Sequence, residues 1–142
     1  MKKTITSVTS IVLTLVFILA LVSCGNSVDK TGLWEKATYH EDTEFGQGKT
    51  TVKVEVKVED QSVTFTLHTD KTTLGAALLE HDLIAGEESQ YGLYIKKVNG
   101  ITADYDVDQS YWGFYKNGTY VMTGVDTTEI ADGEHYELVY EK

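Results

Sequence analysis

Asp104, Asp106 and Asp108 stand two residues apart, the spacing of the first three ligands in an EF-hand calcium loop. That loop also needs glycine at its sixth position and an acid at its twelfth, and here those places hold Gln109 and Tyr115. The three acids therefore read as a surface loop between strands, and no metal site is expected. The four histidines, His40, His68, His81 and His135, include no i, i+4 pair of the kind that grips zinc on a helix. The chain has no G-x-S-x-G elbow and no glycine-rich phosphate loop, and its one cysteine, Cys24, lies at the end of an apolar leader. Acidic pairs are so common among 22 Asp and Glu that none stands out as a glycosidase dyad. No catalysis is expected.

The aromatic residues carry more information. The sequence has nine Tyr and two Trp, with a cluster between Tyr91 and Tyr120. Asn117-Gly118 is a two-residue hairpin signal, and it fixes a register in which Tyr115 faces Tyr120 and Phe114 faces Val121. Alternation then puts Trp112, Phe114 and Val121 on one face, and Tyr111, Tyr115, Tyr120 and Met122 on the other. One face should enter the core. The other is either plain sheet covering or a platform for a planar or sugar-like ligand.

These residues need elements to hold them. Val52, Val54, Val56 and Val58 alternate with charged residues, and Val63, Phe65 and Leu67 repeat the pattern, which predicts a hairpin. Leu74, Ala77 and Leu78 share a helical stripe, with Thr72 or Thr73 as cap, Asp82 as left-handed terminator and Leu83 folding back on the last turn. Strands are predicted at Leu93–Val98, before Asn99-Gly100, at Tyr111–Tyr115, at Tyr120–Thr123, and at Tyr136–Tyr140 after Asp132-Gly133. The plan is α+β: a mostly antiparallel, β-grasp-like sheet with one short helix. Residues 24–48 are polar and aperiodic and read as a tether that can lay Trp34, Tyr39 and Phe45 on the domain. The folded unit is then 49–142.

The N-terminus has the export pattern. Lys2 and Lys3 precede an apolar run ending at Val22. Leu21-Val22-Ser23-Cys24-Gly25 resembles the lipobox of bacterial lipoproteins, which implies cleavage after residue 23 and a diacylglycerol thioether on Cys24. Two acyl chains anchor a protein stably where one does not. Loss of the leader and its two lysines would take the formal charge from −10 to −12. So acidic a chain, with no Arg, is a poor partner for nucleic acid.

Several short runs together resemble the transcobalamin-like C-terminal domain of bacterial surface lipoproteins. They are Thr73-Leu74-Gly75-Ala76-Ala77-Leu78-Leu79, Tyr91-Gly92-Leu93-Tyr94, Val98-Asn99-Gly100, Ala103-Asp104-Tyr105-Asp106, Tyr111-Trp112-Gly113-Phe114-Tyr115-Lys116-Asn117-Gly118, Thr123-Gly124-Val125-Asp126, and Ile130 to Leu138. The resemblance implies a β-grasp fold without enzymatic activity or cofactor. It also implies an anchored protein on the extracytoplasmic face of the bacterial membrane that binds a small soluble ligand, a corrinoid being the family's example. Delivery to an energy-coupling-factor-type transporter belongs to the same expectation. Tyr111, Trp112, Tyr115 and Tyr120 are then the expected ligand residues, Tyr115 and Tyr120 lying opposite the core face. The competing expectation is a non-catalytic structural or adhesion module that contacts glycans or a protein.

Overall fold

The structure is a computed structural model and describes residues 32–142. The leader and Cys24 lie outside the described residues. A 3-10 turn, Gly32–Lys36, leads to β1 (Thr43–Gly46), β2 (Thr50–Val58) and β3 (Gln61–Thr69). Val58 pairs with Gln61, so Glu59-Asp60 is the two-residue turn of the predicted hairpin. Its valines, with Phe65 and Leu67, are all inaccessible to solvent.

The predicted helix is α1 (Leu74–Leu79), and Thr73 caps it by accepting the Ala76 N–H at 3.3 Å. It ends as expected. Asp82 has φ 55°, and the Leu83 N–H turns back to the Leu78 carbonyl at 3.1 Å. Leu74, Ala77, Leu78 and Leu83 are buried. The chain continues through β4 (Ile84–Ser89), β5 (Gly92–Val98), β6 (Ile101–Thr102), the one-turn α2 (Tyr105–Asp108), β7 (Tyr111–Lys116), β8 (Thr119–Tyr120) and β9 (His135–Glu141).

Six strands form one sheet in the order β1-β3-β2-β9-β7-β8, and β4-β5-β6 form a second. The hairpin β2-β3, the helix, and a last strand parallel to β2 make a β-grasp plan. Two pairings, β1 with β3 and β2 with β9, are parallel; the rest are antiparallel. The fold class is thus α+β and rich in strand. Asn99-Gly100 and Asn117-Gly118 have φ of 50° and 81°, and 49° and 78°, the paired left-handed geometry of a tight hairpin turn.

Several elements depart from the sequence reading, the short β6 among them. Strand β4 was not signalled, because Ile84-Ala85-Gly86-Glu87-Glu88-Ser89 buries only Ile84 and is interrupted by a bulge at Ala85/Gly86. Strand β8 is two residues instead of Tyr120–Thr123, although Val121 still donates its N–H to the Phe114 carbonyl at 2.8 Å. The acidic loop contains a second helix, of one turn.

From Gly32 onward, the segment read as a tether lays its aromatics on the domain, as that reading allowed, and also adds a strand to the large sheet. Trp34 is only 1% exposed, and β1 extends the large sheet beside β3. The Tyr39, Phe45 and Phe65 rings contact one another edge to face. The buried Asn99 side chain holds the Tyr39 backbone at both ends, accepting its N–H at 2.9 Å and donating to its carbonyl at 2.8 Å. Trp34, Tyr39 and Phe45 are irregularly spaced along the chain, so they produce no periodic face for the sequence to display.

Candidate functional site

The acidic loop is occupied by its own backbone. Asp104 caps α2 by accepting the Asp106 N–H at 3.1 Å. Asp108 accepts both the N–H and hydroxyl of Ser110, which hold its carboxyl below the usual carboxylate range, and Lys142 stands 3.3 Å away. Gln109, at the position where the calcium motif needs glycine, takes φ 65° as the helix terminator. Among the described residues no three His, Cys, Asp or Glu side chains converge as a metal-binding group. The histidines stay apart in role: the His68 Nδ1 bonds the Thr51 hydroxyl at 3.0 Å, while His81 lies against Phe45 with its Nε2 buried and unpartnered.

The Asn117-Gly118 hairpin has the predicted register, Tyr115 opposite Tyr120, and their rings meet edge to face at 5.5 Å. Trp112 and Phe114 turn inward and are buried, with Tyr136 stacked on Phe114 and Tyr140 edge-on to Trp112. On the opposite face, Tyr111 and Tyr115 both donate their hydroxyls to Glu141, Tyr111 at 2.6 Å. Glu141 can lie across β7 because Gly113 leaves room; a Cβ there would come within 2.5 Å of Glu141 Oε1. These bonds hold the Tyr111 hydroxyl above its ordinary range and push that of Tyr115 up to about 12.

The alkaline consequence is specific. A phenol pKa raised on folding stabilises the protein fully below the unfolded value of ~10, and that contribution disappears as pH rises through the folded value. Ultraviolet titration should therefore show Tyr115 ionising near pH 12. Glu141→Gln should bring it back toward pH 10. Tyr115 ionising at about pH 10 in the unaltered protein would contradict the bond.

Between β5, β7 and the segment after β8 lies an open cleft of about 270 Å³. Its floor includes Trp112, Phe114 and Val125, and its rim carries Tyr91, Tyr94, Tyr120 and Met122. Three rim residues are strongly exposed: Tyr91 at 81%, Tyr120 at 56% and Met122 at 91%. Asp126 fixes the rim's backbone, its Oδ1 accepting the Leu93 N–H at 3.1 Å. Of the residues expected at a ligand, Tyr111, Trp112 and Tyr120 line this cleft. Tyr115 does not; it lies outside, tied to Glu141. Tyr91 and Tyr94 were missed as site residues because the packing of the second sheet that brings β5 beside β7 is not local in sequence. Their only signal was membership of the aromatic cluster.

Fold and cleft together define a β-grasp domain with an aromatic surface depression. Residues 71–142 match the family described as Domain of unknown function (DUF4430), and the chain belongs to that family. Among solved structures, one similar chain is a Ruminococcus gnavus ATCC 29149 protein proposed to bind metal. It is 36% identical with a TM-score of 0.63, the match covering 66% of this chain and 98% of that one. Another is haptocorrin in complex with Cbi, 20% identical with a TM-score of 0.57, covering 69% of this chain and 26% of that one. The chain thus spans about a quarter of haptocorrin's length, and at that identity the likeness is one of fold. The transcobalamin-like resemblance is met at that level. No curated protein matches the chain.

Proposed function

We propose that this protein is a non-catalytic, lipid-anchored binding protein of the extracytoplasmic membrane face, and that its cleft holds a small soluble ligand. The observation that carries the reading is the rim itself: Tyr91, Tyr120 and Met122, large and apolar, stand exposed around one depression instead of being scattered. Exposed apolar clusters mark interaction sites, and tyrosine offers ring area and a hydroxyl at low entropic cost. A corrinoid is the first ligand to try, supported by the haptocorrin-like fold, with an energy-coupling-factor-type transporter as the recipient.

The test is a thermal-shift and titration series on unlipidated residues 25–142 with cobinamide and cobalamin. Tyr120→Ala combined with Met122→Ala should weaken binding by ~1–3 kcal/mol if these are anchors. The melting temperature should hardly move, since both side chains are exposed. Binding that ignores the double substitution would remove the cleft from the reading.

The anchor has its own test. Cys24→Ser should leave the protein unprocessed or release it from the membrane fraction, because no thiol remains to carry the diacylglycerol. Normal processing and membrane retention of the variant would rule out lipidation.

A further inference from the structure

The cleft differs in charge from the chain that builds it. None of the residues lining it is Asp, Glu, Lys or His, in a sequence with 22 acidic residues and 12 lysines. Five of them, Tyr91, Tyr94, Tyr111, Trp112 and Tyr120, carry indole or phenol rings, the tyrosines more exposed than the buried Trp112 of the floor. A ring face is the negative end of an aromatic quadrupole and attracts cations. Among the described residues the one lysine set over a ring is Lys116, 5.6 Å from the centre of Tyr136, so no side-chain cation occupies the cleft rings.

Two carboxylates stand immediately behind the wall. Glu141 accepts the Tyr111 hydroxyl, which raises the electron density of that ring. Asp126 lies under the rim glycines; a Cβ on Gly92 or Gly124 would come within 2.6 or 2.5 Å of its Oδ1. Among the described residues no ion pair reaches either carboxylate, whereas Lys57, Lys96, Lys116 and Lys142 are paired with other acids. An anion entering the cleft would meet ring faces and two uncompensated negative charges, with no cation to offset the loss of water. A primary ammonium would surrender strong hydration for rings that cannot accept three hydrogen bonds. A methylated ammonium is weakly hydrated, apolar at its surface and positive throughout, and it suits both the rings and the charge behind them. The cleft volume also falls a little below the ~300–1,000 Å³ of sites that enclose a whole drug-sized ligand, which fits a head group.

We propose that the cleft recognises a methylated, quaternary ammonium group. This rests on the reading of the cleft as the ligand site but not on the ligand being a corrinoid. The experiment compares choline with 3,3-dimethyl-1-butanol, which has the same shape and no charge. Both are titrated calorimetrically into the full-length protein in a maltoside detergent, with sodium chloride matching ionic strength. Choline should bind at least ten-fold more tightly than the alcohol. Tyr91→Leu combined with Tyr120→Leu keeps apolar bulk but removes two rings, and it should lower choline affinity at least ten-fold while affecting the alcohol less. Equal binding of the two compounds, or no choline binding, overturns the ammonium reading alone if cobinamide or cobalamin binding still depends on Tyr120 and Met122. Choline binding that survives the leucine substitutions puts the cation elsewhere and also overturns it. The reading of the cleft as a site falls separately, if every ligand found is indifferent to those three rim positions.

Discussion

Trp34→Ala should destabilise the protein by ~3–5 kcal/mol, the range for truncating a fully buried aromatic, a large share of the ~5–15 kcal/mol that holds a domain folded. The residue sits in a segment that looks like a linker, yet it is only 1% exposed and packs edge-on against His40. Its turn is stitched to the domain through Thr38, whose N–H reaches the Asn99 carbonyl at 2.8 Å. Trp34→Phe should cost much less. The indole N–H is buried without an acceptor, so exchanging it for a ring carbon gives up no hydrogen bond. Chemical denaturation of both variants is the measurement. An alanine variant within ~1 kcal/mol of the parent would mean that residues 32–48 are loosely applied after all.

The second large effect is expected at Gly75. Alanine inside a helix is ordinarily better than glycine by ~1 kcal/mol, and propensity alone predicts a gain. Here the new Cβ would lie 2.8 Å from both the N and the Cα of Asp126. That is backbone, which no rotamer change can move aside. Overpacking costs ~1–3 kcal/mol, which offsets the ~1 kcal/mol gain, so Gly75→Ala should be a net loss of up to ~2 kcal/mol. It should also disturb the cleft, because Asp126 anchors Leu93 and belongs to the 3-10 turn Val125–Thr127 that forms the cleft wall. A lower melting temperature together with weaker ligand binding is the expected pair of results. A more stable variant would show that α1 and the turn can separate freely.

Elements governed by neighbours in the chain were open to sequence reasoning. The valine alternation set β2 and β3 because period two is a property of the extended chain itself. Thr73, Asp82 and Leu83 set the ends of α1 because capping is satisfied within a few residues. Asn117-Gly118 set the Tyr115–Tyr120 register because the turn admits only backbones with two positive φ values. The same local logic assigned Trp112 and Phe114 to one face and Tyr111 and Tyr115 to the other, though it left open which face was inside.

What only the tertiary structure decided follows from long-range contact. Trp34 became core in a segment tied to Asn99 through Thr38 and Tyr39, and Phe45 packed against Phe65, partners far along the chain whose positions no local pattern encodes. Tyr115 was separated from the cleft because Glu141 approaches from the far end of β9 to take its hydroxyl. Tyr91 and Tyr94 joined Trp112 and Tyr120 only when the second sheet packed against β7. The sequence by itself determined the hairpin β2-β3, strands β5, β7 and β9, the short helix, the tight turns and the aromatic character of the candidate site. Where that site opens depends on the packing of the two sheets, because burial is decided by partners distant in sequence and not by the residues' own periodicity.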